Sequence, residues 1–146
     1  MLEQNRFTLA FPAPNMIMRS WMAEPYPPAL VEIRDAYRNA LEFARKARSM
    51  SEDDRAGYID YWIGRLDFGI EYLNCVESLR KGALAEAAGS NDEALRHARA
   101  AVEQSRVATE AYAAVVQDQS DIGAIAVMNE HVYRPLQKKV AELAGL

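Results

Sequence analysis

The chain has 146 residues, enough for one domain with a substantial core and too few for two comfortable ones. Half of the residues are hydrophobic and 26% are charged, an ordinary globular composition, and a net charge of −4 offers no basic field to nucleic acid or an anionic membrane. One cysteine excludes an internal disulfide framework and a thiolate metal cluster, and two histidines leave little for imidazole-based metal chemistry.

Residues 1–28 hold five of the six prolines (Pro12, Pro14, Pro25, Pro27, Pro28) and four of the six methionines. Met1-Leu-Glu-Gln-Asn-Arg6 lacks a basic lead, and Pro12 and Pro14 interrupt the apolar run behind it, so no export leader is expected in this chain. No stretch approaches the roughly 18–20 uninterrupted apolar residues of a membrane span. Proline removes a donor and restricts the residue before it, which predicts an extended or turning arm over 1–27, with a short strand or helical turn near Asn15–Met22. Phe11, Met16, Ile17, Met18, Trp21 and Met22 make this arm too apolar for a solvated tail. Met18, Trp21, Met22 and Tyr26 are therefore candidate partner-contact residues, with docking inside the chain as the competing reading.

From Pro28 the apolar period becomes helical, and four helices are predicted over 28–49, 51–87, 91–118 and 121–144. In the first, Leu30, Ile33, Tyr37, Leu41 and Ala44 share a face, and Pro28 suits the first helical position. Ser51-Glu-Asp-Asp54 supplies a capping serine and acids for the second. That helix carries two apolar rows (Ile59, Trp62/Ile63, Leu66, Ile70, Leu73, Val76 in one; Tyr58, Tyr61, Phe68, Tyr72, Cys75, Leu79, Ala83 in the other) and a narrow polar row of Asp60, Gly64, Asp67, Glu71, Asn74 and Ser78. A helix apolar over most of its circumference belongs in the centre, where Leu66 is expected to be a core residue. Gly89 suits a left-handed cap, and Ser90 with Glu93 reads as a capping box. The third helix carries a small-residue stripe, Ala94, Ala98, Ala101, Ser105 and Ala108, closed by Tyr112. The last begins at Ser120-Asp121, and Pro135 within it predicts a kink, because the apolar row continues in phase past the proline. The expected fold is all-α: a four-helix up-down-up-down bundle with a proline-rich N-terminal arm.

Reactive constellations are weak. There is no Glu-x-x-His pair for a di-iron bundle and no Cys-x-x-Cys-His for haem. Glu93 and His97 stand four apart, which also describes an ordinary surface pair. Cys75 lies in an apolar row, where a thiol is a small hydrophobe. Asp60, Asp67 and Glu71 could serve acid–base work on a sugar, yet a polar stripe on an apolar helix is also what solvent requires. Neither a Gly-x-Ser-x-Gly elbow nor a phosphate loop is present, so no catalytic, cofactor or metal residue is expected. The aromatic residues are the best lead. Tyr37, Tyr58, Tyr61 and Trp62 could line a ligand pocket between the first two helices, if they are not simply core.

Three segments carry a resemblance: Ala36-Tyr-Arg-Asn-Ala-Leu-Glu42, Tyr61-Trp-Ile-Gly-Arg-Leu-Asp-Phe-Gly-Ile-Glu-Tyr72, and Asp121-Ile-Gly-Ala-Ile-Ala-Val-Met-Asn-Glu-His-Val-Tyr-Arg-Pro-Leu136. Together they resemble the helical region behind the catalytic barrel of large bacterial α-glucuronidase-like glycoside hydrolases. Arg65, Phe68 and Tyr72 match that family's Arg–Phe–Tyr pattern with tighter spacing. The resemblance implies a non-catalytic C-terminal scaffold module of a carbohydrate-active protein, with the catalytic carboxylates on a barrel elsewhere. Independently of the resemblance, the apolar, proline-rich N-terminal run reads like the exit from a preceding domain. The expected partners are that parent domain or a second copy, with a stand-alone ligand binder or cytoplasmic interaction module as the alternative. A stand-alone chain would be cytoplasmic, and a fragment of a larger carbohydrate-active protein could be exported.

Overall fold

The computed structural model describes residues 12–146. Residues 1–11, including Phe11 and the leading part of the arm, lie outside them. Among the described residues the fold is all-α, with no strand. A 3-10 segment, Pro14–Ser20, precedes α1 (Pro28–Ser49), α2 (Asp53–Ala87) and α3 (Asn91–Ala113). The last rod consists of α4 (Gln119–Met128), a π turn (Asn129–Tyr133) and α5 (Arg134–Leu143). None of the described helices is long and apolar enough to cross a membrane.

The local rules explain most helix ends, with three corrections. Pro28 opens α1 as expected, behind an extended Pro27. Ser51 does not cap α2: its hydroxyl turns back to donate to the Ala47 carbonyl at 2.6 Å, and Glu52 takes the cap position with no side-chain bond. The Ser90/Glu93 capping box does not form either, because the Glu93 carboxylate accepts from Arg96 at 2.9 Å instead. Helix α3 ends at Ala113, short of residue 118, because Asp118 is needed as the cap of α4, where its side chain accepts from the Asp121 amide at 2.9 Å. Gly89 does take the left-handed conformation that ends α2 (φ 80°).

Pro135 has no N–H, and its ring crowds the carbonyl four residues back. The chain absorbs this by widening into the π turn just before the proline, where the Arg134 amide reaches the Asn129 carbonyl five residues away. Helical backbone is not interrupted, and Met128, Val132 and Leu136 stay buried in one row.

Helix α2 is the central element, with α1 against one side, α3 against another, and the last rod against α3. The α1–α2 seam is antiparallel and polar: Arg34 bonds Glu77 (2.5 Å) and Asn74 (2.9 Å), Arg45 meets Asp67 (3.7 Å), and Arg48 meets Asp60 (2.9 Å). The polar row expected to face solvent lies along the rim of this seam, with Asp60 exposed and Asp67, Glu71 and Asn74 partly covered. Gly64 and Ser78, assigned to the same row, are buried against α3.

The α2–α3 seam is antiparallel too. Phe68 packs on Tyr112 (ring centroids 5.3 Å apart), and Ser78 bonds the Gln104 amide at 2.7 Å. The stripe Ala94, Ala98, Ala101, Ser105 and Ala108 is buried along it, and small residues on both helices let the rods approach closely. The core joins Tyr72, Leu73, Cys75, Val76 and Leu79 of α2 to Leu30, Ala101, Met128, Val132 and Leu136, with Ile17 of the arm among them. Leu66 is only half-buried, since it lies outside this cluster.

The arm is part of that core. It runs beside α2 in the same direction: the Tyr72 hydroxyl donates to the Pro12 carbonyl at 2.6 Å, and Trp21 lies across Gly82 with its indole N–H donating to Glu86 at 3.3 Å. Lys139 sits 4.7 Å from the Trp21 ring centre, and Tyr26 lies under the Arg34 guanidinium at 5.1 Å.

Candidate functional site

The densest polar cluster links three helices. Asp121, 5% exposed in the first turns of α4, accepts from the hydroxyls of Tyr112 (2.6 Å) and Tyr61 (3.2 Å), and from the Gln117 amide (3.0 Å). Arg65 donates to the Tyr61 hydroxyl at 2.8 Å, and its guanidinium carbon stands 5.1 Å from the Tyr112 ring centre and 5.6 Å from that of Tyr61. The bonds from Tyr112 and the Gln117 amide hold the Asp121 carboxyl below the usual aspartate range. Burial, helped by the bond to Asp121, pushes the Tyr112 hydroxyl up to about 12. Neither group changes protonation near neutral pH, so the cluster fastens the start of the last rod onto α2 and α3 and is not poised for acid–base chemistry.

A depression of about 350 Å3 opens beside this cluster, between α2, α3 and α4, and Pro14 of the arm reaches its edge. Its walls are mostly apolar, with Phe68, Ile125 and Met128 among them, and Arg65 brings a charge to it. Other depressions lie on the outer face of α1 near Arg38 and Lys46, and beside Met18 next to Arg134 and Lys138.

Of the four aromatics read as a pocket, Tyr58, Tyr61 and Trp62 form one edge-to-face group on α2, apart from Tyr37. Tyr37 lies against Gly69 on the α1–α2 seam, and Tyr61 turns toward Asp121. Tyr58 and Trp62 are outside, with Trp62 edge-on to both Tyr58 (6.4 Å) and Tyr61 (5.9 Å). Of the four arm residues, Met18, Trp21 and Tyr26 pack against the core, while Met22 is exposed. Burial pushes the Tyr26 hydroxyl up to about 12. Cys75 is fully buried, which also pushes its thiol up to about 12, far from a nucleophile's range.

Among the described residues no group of three or more His, Cys, Asp or Glu side chains could hold a metal ion. Sequence reasoning missed Asp121 as a buried acceptor and Arg65 as its neighbour. The available signal was Asp118 three residues before Asp121, a capping pattern that leaves the second acid free to turn inward. No family model, curated protein or solved structure matches the chain.

Proposed function

We propose that the chain is a non-catalytic helical scaffold module that works by presenting the free end of its α1–α2 hairpin to another protein surface, either a parent domain or a second copy. The observation that carries this reading is an overhang. Helix α3 meets α2 at Gly64 and α4 meets it at Tyr61, and residues 53–60 of α2 run on for about 12 Å past those two contacts, with Arg48 of α1 bonded to Asp60. That end carries Met50 (82% exposed) and Tyr58 (69%), with Trp62 (45%) one turn further along α2 and Phe43 (72%) two turns back on α1. Exposed aromatic and methionine side chains are the composition of protein interfaces.

The Arg48–Asp60 and Arg45–Asp67 pairs brace the projection without covering it. The resemblance to α-glucuronidase-like proteins would make the opposing surface a catalytic barrel, and the three matching segments are its support. The experiment is sedimentation equilibrium over a wide concentration range, alone and with any polypeptide encoded in frame with the chain. Association that disappears in the Met50→Ser/Tyr58→Ser/Trp62→Ser variant is the expected result. A chain that stays monomeric and binds no in-frame neighbour, or one whose association ignores the triple substitution, overturns the proposal.

A further inference from the structure

The depression beside the Asp121 cluster has a chemical character of its own. Three of its lining residues carry side-chain polar groups, and two of those are engaged internally. The Thr109 hydroxyl donates to the Ser105 carbonyl at 2.8 Å, and the Tyr112 hydroxyl donates to Asp121. That leaves Arg65. Nearby Arg45 and Arg48 each have a carboxylate within 4 Å, whereas no ion pair joins Arg65 to a carboxylate among the described residues. It reaches Asp121 only through the Tyr61 hydroxyl, and that carboxylate already accepts from two phenols and a backbone amide.

The guanidinium is also held in position. Its place over the Tyr112 and Tyr61 rings, with one N–H given to the Tyr61 hydroxyl, leaves further N–H donors for a solute. The remaining walls are Pro14, Phe68, Ala124, Ile125, Val127 and Met128. A sugar would leave its hydroxyls without partners on such walls, and a phosphate ester would bring more charge than one arginine can meet. The volume lies at the small end of the roughly 300–1,000 Å3 range of ligand pockets.

We propose that this depression binds a small amphipathic monocarboxylate, with the carboxylate on Arg65 and the apolar tail against Phe68, Ile125 and Met128. The inference is independent of the hairpin reading above, because the two use different surfaces.

The test titrates the full chain with octanoate below its micellar range, following backbone amide shifts and heat. Octan-1-ol is the charge control and butyrate the tail control. Saturable octanoate binding is expected, with shifts centred on Phe68, Ile125 and Met128 and weaker binding of both controls. Arg65→Met keeps an unbranched side chain and removes the charge. It should weaken octanoate at least about tenfold, as loss of a charge-assisted bond implies, and leave octan-1-ol unchanged. Ala124→Leu, on an exposed position that tolerates bulk, should weaken both ligands by filling the space. Non-saturable octanoate binding, equal affinity for octan-1-ol, shifts centred elsewhere, or a folded Ala124→Leu chain that binds as well as wild type would each overturn the assignment.

Discussion

Gly82→Ala probes whether the arm is truly seated on α2. A methyl built at Gly82 collides with the outer ring carbons of Trp21, while its contact with the His97 Cβ, at 3.4 Å, is ordinary packing. The helices can keep the methyl; the indole cannot stay where it is. Displacing the ring gives up its contact with Lys139 and its bond to Glu86, together with part of its burial. Complete truncation of a buried aromatic costs about 3–5 kcal/mol, so partial displacement of the half-buried Trp21 should cost roughly 2–3 kcal/mol. Against this, alanine is favoured over glycine in a helix interior by about 0.5–1 kcal/mol. The net expectation for Gly82→Ala is a loss of about 1–2 kcal/mol.

In a Trp21→Ala background the ring is gone and only the helical gain remains. The same substitution should then stabilise by about 0.5–1 kcal/mol, giving a coupling near 2–3 kcal/mol. Urea unfolding of the four chains of this cycle, followed by far-UV circular dichroism, measures both signs. Limited proteolysis between residues 12 and 27 reports release of the arm. If Gly82→Ala stabilises in both backgrounds, Trp21 does not lie on α2 and the arm is not part of the core.

Two further outcomes follow from burial and from the Asp121 cluster. Leu79→Ala, at a fully buried core position, should cost about 2–5 kcal/mol, whereas Leu66→Ala should cost only about 1–1.5 kcal/mol because that side chain is half-exposed. Equal losses in urea unfolding would mean that the core extends into the hairpin. Asp121→Asn keeps the shape but turns an N–H donor toward the Gln117 amide, or leaves a phenol unpaired, and should cost about 1–3 kcal/mol at neutral pH. The Asp121 carboxyl is held below its unfolded value, so its contribution is complete above the ordinary aspartate range and is lost as pH falls through the folded value. Thermal melts should therefore show wild type losing its advantage over Asp121→Asn under acid conditions, and a gap independent of pH would refute the cluster's role.

How much was legible differs from element to element. The start of α1 and the end of α2 follow from Pro28 and Gly89, because proline and glycine act through their own backbone. The buried stripe of α3 follows from helical spacing. The caps at Ser51 and Ser90 do not, since a hydroxyl has several backbone acceptors in reach and local sequence does not choose among them. The places of the four aromatics were not legible for a related reason. Periodicity assigns Tyr37, Tyr58, Tyr61 and Trp62 to apolar rows but does not say where the covering helix stops. Arg65 and Asp121 lie on different helices far apart in sequence, and their local partners, Tyr61 and the Gln117 amide, each four residues back, do not tie the two together as one site.

Residue order alone determined that the chain is helical, where most rods begin and end, and which small residues line α3, because these depend on backbone preferences and a period of 3.6. Tertiary packing decided the rest. It set Asp60, Asp67 and Asn74 along the solvent-facing rim of a seam with the arginines of α1, and it drew Asp121 inward under two tyrosines. It also left Tyr58 and Trp62 exposed on a face of α2 turned away from Asp121 and α3. A side chain's spacing says which way it points, and only the neighbouring rod, supplied by distant sequence, says what it meets there.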